Sequence, residues 1–582
     1  MKSPTNPGRF SPWQGDTRGN LPGTMLEPAN PLTIALPTRT WAKVFMSAGR
    51  VSKLKWLVRK VMDLPRISNS QEKFVKHNIE FHAVAAPNNQ QSLLVEYYPH
   101  ASAHVNFSYL VKALSEVAPA RVVAYSASRT KKWAWLPLLV ANLAGQFWWR
   151  HQALSEVYRS FGCVGYVLPT FKVGERWRAR RIAKSLLRQN RSKMELVSAT
   201  VDGIVIGDLF YDYALSSGRQ ATIDLNSFVT ESRLRRFLEL FFFWKRYFDE
   251  NSVVAVVGSH HVYHFGLPLR IALSRGARAF IAESDSIFEL SESNPRPTAI
   301  ESTYPDIFRD LPDHLKKAGL ESAREELRKR FQGGRSIGVE YVTKSSYGPP
   351  SSETVLRSTN RPKVLIAAHS FFDAPHYFGN FLFPDFWEWI CYLGELAQST
   401  NFDWYIKTHP DFLPGTMEII DDFIRRYPSI TLLPAQTSLL QLAEEGISAA
   451  LTVYGTIGME YAALGVPVIN ASPHNPHRAY SFNFHAATIE QYEQLIRSIP
   501  NLENQLDFNQ VYEYYFMAKI LWKESNVFID YPKMLEEIGG YHAQFSDTVY
   551  DYFLNIWTPE LHSRLANSMA AFVRSNVGRF LI

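Results

Sequence analysis

The chain is 582 residues long, 46% hydrophobic and 20% charged. That is the composition of a soluble globular protein, and its length asks for two cores, because one core rarely grows past about 250–300 residues. Cys163 and Cys391 are the only cysteines, which excludes both a disulfide framework and a CxxC metal site and fits a reducing cytoplasm. The formal charge of +7 suits an anionic partner such as a nucleotide, an acidic glycan or an anionic membrane surface. No aromatic-basic RNA motif or helix-turn-helix pattern accompanies it, so nucleic acid is not an expected partner.

In chain order, residues 1–37 (MKSPTNPGRFSPWQGDTRGN onward) lack the apolar stretch of a secretory signal and read as a disordered leader. Residues 38–75 form a basic amphipathic segment, with Lys43, Arg50, Lys53, Lys55, Arg59 and Lys60 interleaved with Val, Leu, Phe and Trp. Such a helix either lies on an anionic bilayer or packs on the first domain with a solvated basic face. Alternating strands and helices begin near Ile79, with strands expected at Ile79–Ala86, Leu93–Tyr97, Arg121–Tyr125, Val253–Val257 and Ala277–Ala282. Helices are expected at Val105–Val117, Glu175–Arg191, Leu225–Glu250 and His264–Ser274. Trp133–Trp149, at 17 residues, is at the lower limit of a membrane span and carries Pro137, Asn142 and Gln146. It reads as a buried or interfacial helix.

The rhythm breaks over residues 286–361, where a charged helix at Asp313–Phe331 and a Ser/Pro-rich loop mark an insert and linker. A second domain, residues 362–500, opens with the strand KVLIAA from Lys363. Further strands are expected at Asp403–Lys407, Ile430–Leu433 and Ala449–Val453, and residues 501–582 extend as helices that cover the second domain and cross back to the first. The fold class is therefore α/β, with a first Rossmann-like domain at residues 76–285 and a second at 362–500.

Open α/β sheets bind ligands beyond the carboxyl ends of their strands. His369, Lys407, His409 and Gly455 all follow expected strands. In LTVYGTIGMEYAALGVPVIN a strand leads through a Gly-containing turn (Gly455 to Gly458) into a helix, a turn whose backbone N–H groups suit an anionic phosphate. Glu460 falls in the first turn of that helix, near where ribose hydroxyls would lie. Lys407 and His409 place positive charge beside a donor phosphate or a sugar carboxylate. Asp373 and His376 sit in a long loop after the first strand of this domain. His474, His477 and Arg478 follow the strand ending at Ile469, and Arg478 suits a phosphate. In the first domain, Asp208 and Asp212 share a face if helical and either activate an acceptor hydroxyl or serve as caps and ion pairs. His260 and His264 have i, i+4 spacing, but no third ligand accompanies them, so with His261 they read as acceptor-side residues and no metal is expected.

KTHP (Lys407–Pro410), followed by TVYGTIGMEYAALGVPVIN, resembles the C-terminal half of bacterial capsule and surface-polysaccharide glycosyltransferases. The nearest are the capsule-polysaccharide-synthesis type, which includes transferases using CMP-linked Kdo. DGIVIGDLFYDYAL (Asp202–Leu215) and SHHVYHFGLPLRIALSRGARAF (Ser259–Phe280) are similar to segments of the N-terminal half of such proteins. One departure is Tyr454-Gly455-Thr456, where many relatives carry Ser-Thr or Ser-Ser, so the phosphate-contacting hydroxyl is either Thr456 or absent.

The resemblance implies a metal-independent GT-B glycosyltransferase, cytoplasmic or peripheral on the inner membrane. It implies a nucleotide-sugar donor, favouring a CMP-linked acidic sugar, no separate cofactor, and a glycan or lipid-linked acceptor. Asp208, Asp212 and His409 are then the expected catalytic residues, with Asp208 first for the general base. Lys407, His409, Gly455, Thr456, Gly458, Glu460, Arg478 and His369 bind the donor, and His260, His261 and His264 face the acceptor. A transferase using a CDP-glycerol or CDP-ribitol donor and an inactive GT-B scaffold that binds glycan or lipid carrier remain the alternatives.

Overall fold

The computed structural model describes residues 67–84, 90–128, 145–147, 149, 152–334, 344–502, 506–523, 525–575 and 577–581. The expected leader, most of the basic segment at 38–75 and most of Trp133–Trp149 lie outside them. No described helix is long and apolar enough to cross a membrane.

The first sheet contains β1 (Ser92–Glu96), β2 (Arg121–Tyr125) and β3 (Cys163–Val167). After a short hairpin, β4 (Thr200–Val201) and β5 (Ile204–Val205), it continues with β6 (Val253–Gly258), β7 (Arg278–Ala282) and β8 (Ile287–Leu290). Its six strands run in the order β3-β2-β1-β6-β7-β8, all parallel except β8. The second sheet contains β9 (Lys363–Ala367), β10 (Asp403–Lys407), β11 (Thr431–Leu432), β12 (Ala449–Thr452), β13 (Val468–Asn470) and β14 (Phe484–His485). Its order is β11-β10-β9-β12-β13-β14, parallel throughout. Leaving the hairpin aside, each sheet steps outward from its first strand and then restarts on the other side, the Rossmann order. Parallel strands need crossovers that cover both faces, and every residue of SLLVE in β1 and DWYIK in β10 is accordingly buried.

The segments after β6 and β9 touch, through Tyr263 and Asp373, so the carboxyl edges of the two sheets converge on one cleft. Two Rossmann-like domains in this relation are the GT-B plan. One apolar cluster runs from Leu94 and Val256 in the first sheet to Val364, Ile406 and Leu451 in the second.

The other face of the first sheet is covered by the helix Ala101–Val117 and by the end of the chain, helices Thr548–Ile556 and Pro559–Arg574. The chain reaches that face from the helix Phe508–Tyr515, which packs beside Tyr304, Leu327 and Met459. Its last residues extend the first sheet: Glu289 donates its N–H to the Gly578 carbonyl at 3.0 Å, and Phe580 donates to Ile287 at 2.9 Å. The first sheet thus runs past residue 285 to Leu290.

The strand expected at Ile79–Ala86 is not formed where it is described: Asn69–Phe81 is a helix. Ser68 accepts from the Gln71 N–H at 3.1 Å and Gln71 returns a bond to Ser68 at 3.2 Å, a capping box that starts the helix early enough to absorb Ile79. Against this helix and Pro559–Arg574 lies His82, 1% exposed, with neither ring nitrogen hydrogen-bonded among the described residues. Burial and the neighbouring His562 hold His82 well below the ordinary imidazole range and lower His77 to about 4. Both groups bind protons more weakly folded than unfolded, so their contribution is complete above the unfolded pKa of 6.5 and is lost as pH falls toward 4. Thermal unfolding followed against pH is expected to show a declining Tm over that window, and His82→Leu is expected to flatten part of the decline.

Candidate functional site

The helix Gly207–Gly218 carries the first domain's side of the domain contact. Gly207 is needed at its start, because a Cβ there would lie 2.0 Å from the Leu196 carbonyl oxygen. From this helix Asp212 reaches across to His376, accepting from Nδ1 at 2.6 Å and from the backbone N–H at 3.2 Å. One residue back, Tyr211 donates its hydroxyl to Asp385 Oδ2 at 2.6 Å, and Thr222 donates to the same oxygen at 2.6 Å. The other oxygen of Asp385 caps the helix Phe386–Gln398 through the Glu388 N–H at 2.8 Å. Tyr263 to Asp373 (3.0 Å), His261 Nε2 to the Tyr377 carbonyl (3.2 Å) and Lys193 with Glu388 complete the seam. Asp212, Asp385 and His376 are all at most 2% exposed.

Four expected donor-side residues meet at the carboxyl edge of β9, β10 and β12. His369 Nε2 accepts the Val453 N–H at 3.1 Å and lies 3.0 Å from the Thr452 hydroxyl. An Nε2 that accepts a backbone N–H carries no proton, so the proton sits on Nδ1, which has no partner among the described residues. Burial lowers His369 to about 3 and keeps it neutral. His409 Nδ1 likewise accepts, from the Asp411 N–H at 3.0 Å, leaving Nε2–H free of a partner among the described residues. Between them, the Lys407 amine is 4% exposed, bonds only the Thr408 carbonyl at 3.2 Å and has no carboxylate partner among the described residues. Burial lowers it to about 8. Thr456, exposed, begins the helix Ile457–Ala463 with a hydroxyl that caps nothing.

Arg478, also exposed, lies farther along the edge, 3.2 Å from His474 Nδ1. With His485 and Ser302 it lines an open cavity of about 460 Å³ between the segments that follow β8 and β13. From β10 to β13 is three strand spacings, about 14 Å, so Lys407 and Arg478 stand at two ends of one elongated site.

Asp208 and Glu460 are both committed to arginine partners. Asp208 receives Arg270 Nη1 at 2.6 Å and Nη2 at 2.5 Å, and Arg296 at 2.9 Å. Burial alone would raise its pKa; the two guanidinium groups overcome this and hold the carboxyl well below its usual range. A carboxylate so committed is a poor proton acceptor, and it positions the Gly207–Gly218 helix instead. Glu460, 2% exposed, pairs with Arg330 and accepts the Tyr347 hydroxyl at 3.0 Å. It ties the helix Asp313–Phe331 to the second domain and offers nothing to a ribose. Gly458 serves packing, since a Cβ there would lie 2.8 Å from the His477 ring.

His260 and His264 do not share a helical face, because a 3₁₀ turn at Tyr263–Phe265 precedes the helix Gly266–Leu273. His260 bonds the Ser259 hydroxyl at 2.8 Å, and His264 stacks on Phe265 with ring centroids 4.3 Å apart. Burial lowers both to about 4. Among the described residues, no three His, Cys, Asp or Glu side chains group to hold a metal ion.

Sequence reasoning missed Glu96 and Glu283. Glu96 ends β1 and accepts the Ser259 N–H (2.7 Å) and hydroxyl (2.8 Å), joining the strands at the point where the order reverses. Glu283 follows β7, is half-buried, and has no side-chain hydrogen bond or ion pair among the described residues. Burial, reinforced by Asp285, pushes it up to about 8. An acidic residue immediately after an apolar strand, as in RAFIAES, is the signal that could have found it.

No protein-family model matches this chain. No curated protein sequence matches it either. Among solved structures it is similar to UDP-GlcNAc 2-epimerase from Neisseria meningitidis bound to UDP-GlcNAc (12% identity, 73% of this chain and 97% of that one, TM-score 0.21). It is also similar to E. coli ADP-heptose lps heptosyltransferase II (11%, 71% and 97%, TM-score 0.19). A glycosyltransferase from Rickettsia africae is a third (10%, 84% and 100%, TM-score 0.21). Likenesses this remote say nothing of the reaction, and the fold rests on the strand orders above.

Removing one member of a buried ion pair strands the other. Arg330→Ala is therefore expected to destabilise the protein by about 3–5 kcal/mol, read by denaturant unfolding, whereas a double Arg330→Met/Glu460→Leu variant is expected to recover most of the loss.

Proposed function

We propose that this chain is a transferase that binds a nucleotide-activated sugar in the cleft and passes the sugar to a hydroxyl of a glycan or lipid-linked acceptor. The observation that carries the reading is the set of nitrogen donors with no carboxylate to answer them. Lys407, His369 Nδ1–H and His409 Nε2–H stand at the carboxyl edge of adjoining strands. The Gly455–Thr456 turn, with Thr456 exposed, and the exposed Arg478 extend that edge. A diphosphate, or the phosphate and carboxylate of a CMP-linked acidic sugar, supplies the missing negative charge. Fixed donors aimed at a leaving phosphate stabilise the charge it gains as the glycosidic bond breaks.

On the opposite wall Glu283 is the base: its carboxylate takes the proton of the acceptor hydroxyl as that oxygen attacks the anomeric carbon. A group raised to about 8 is largely protonated at neutral pH, so it acts in its ionised minority unless the cationic site lowers it. Asp212–His376 and Asp208 hold the cleft's geometry rather than touch the acceptor. A CMP-linked acidic sugar is the favoured donor because the resemblance of Lys407–Pro410 and the Thr452–Asn470 segment points there.

A non-catalytic role is favoured by one observation: Asp208 and Glu460 are spent on ion pairs with arginine, and Asp212 on its hydrogen bonds from His376. Turnover separates the two. Incubation with CMP-, UDP-, GDP- and CDP-linked donors plus lipid extract is expected to release one nucleotide. Release from CDP-glycerol or CDP-ribitol alone would move the assignment to a polyol-phosphate transferase, and release from none would leave a scaffold. With the active donor, Glu283→Gln is expected to lower kcat by about 10²–10⁴-fold with little change in KM. Because the base must be unprotonated, kcat/KM of the wild type is expected to rise as pH passes about 8, and this rise is expected to vanish in the variant.

A further inference from the structure

The helices Val173–Gln189 and Phe228–Glu250 of the first domain pack against each other, and the second also packs on the helices Gly207–Gly218 and Gly266–Leu273. Their ends are matched by ion pairs: Lys172 with Glu250 at 3.1 Å and Arg246 with Glu175 at 2.5 Å. Elsewhere the outward face is unbalanced. Val173–Gln189 carries Arg176, Arg178, Arg180, Arg181, Lys184 and Arg188 against the single acid Glu175. Arg178 is bound to Asp202 at 3.0 Å. Arg176, Arg180, Arg181, Lys184 and Arg188, with Arg236 of the second helix, have no ion-pair partner among the described residues. At 100° per residue, positions 173, 177, 180, 181, 184 and 188 fall on one side of the first helix.

Large apolar side chains share this face instead of being folded away. Trp177 is 68% exposed, Val173 71%, and, near the other end, Phe228 79% and Val229 51%. Arg176, Trp177, Arg180, Arg235 and Arg236, with one acid, Glu239, paired to Arg235 at 3.9 Å, surround a shallow depression of about 400 Å³. From Val173 to Arg188 the stripe is about 22 Å long, with hydrophobic tips at its ends and guanidinium groups between.

We infer that this face is a membrane-docking surface that seats on anionic phospholipid. Arginines beside an exposed tryptophan match the boundary between phosphate headgroups and acyl chains, where the guanidinium groups bond phosphate and the indole enters the interfacial layer. Unpaired arginines at contact with an anionic surface gain Coulombic energy that salt weakens. An acidic protein or a nucleic acid would answer the charge but leave Trp177 and Phe228 in water, which favours lipid. The inference does not rest on which sugar donor the cleft accepts.

The test uses the full chain sedimented with vesicles of phosphatidylcholine alone or with a third of the lipid as phosphatidylglycerol. Binding is expected only with the anionic lipid, falling as salt is raised. The triple variant Arg176→Glu/Arg180→Glu/Arg236→Glu, whose side chains hold no ion pair among the described residues, is expected to bind about tenfold more weakly or worse. Brominated acyl chains are expected to quench wild-type fluorescence more than that of Trp177→Ser. Unchanged sedimentation of the triple variant would place any membrane contact on another part of the chain and overturn the inference. So would equal binding to neutral vesicles, or retention on heparin or DNA with no vesicle binding.

Discussion

The rest of the structure depends on a buried polar seam in which each domain gives a carboxylate to donors of the other. Asp212 of the first domain accepts from His376 of the second, and Asp385 of the second accepts from Tyr211 and Thr222 of the first. A buried charge or hydroxyl that loses its partner carries its whole desolvation cost, so the domains cannot slide past one another in small steps. The apolar cluster that continues from the first sheet into the second lies beside this seam. Together they fix the distance between the loops after β6 and β9, and with it the width of the cleft.

That arrangement divides the charged residues by task. The carboxylates on the helices that frame the cleft are consumed: Asp208 by Arg270 and Arg296, Glu460 by Arg330 and Tyr347. The nitrogen donors on the second domain's strand ends have no carboxylate among the described residues, and Glu283, without a side-chain partner among them, directly follows β7 of the first domain. A ligand bearing negative charge at one end and a hydroxyl nucleophile approaching from the other side match this polarity. The tautomer of His369, fixed by a backbone N–H at Nε2, is part of the same design, because it leaves a donor rather than a lone pair at Nδ1.

The strands were legible because buried parallel strands are short apolar runs between turn residues. VVAVV, KVLIAA and DWYIK stand out on that ground and lie where expected. β3 escaped because Gly165 interrupts CVGYV and Val164 points outward, 46% exposed. The stretch from Ile79 was misread because its alternation imitates a strand, while the capping box that decides the matter lies upstream at Ser68 and Gln71. What no local pattern reveals is which carboxylates are already paired. Arg270 and Arg296 are 62 and 88 residues from Asp208, and Arg330 is 130 residues from Glu460. Asp208 was expected as a base and Glu460 as a ribose contact because their partners become visible only once the chain has folded.

The central claim is that the second domain's strand ends form an anion site answered by a nucleotide. Lys407→Met tests it most directly, because this change removes a buried charge, unpaired among the described residues, at nearly constant shape and so spares the fold. Titration calorimetry of wild type and variant with CMP, CDP, UDP and GDP is predicted to show one nucleotide preferred by the wild type and bound at least about tenfold more weakly by the variant, a loss of about 1.4 kcal/mol. Equal affinity of the two proteins, or no binding by the wild type, would contradict it.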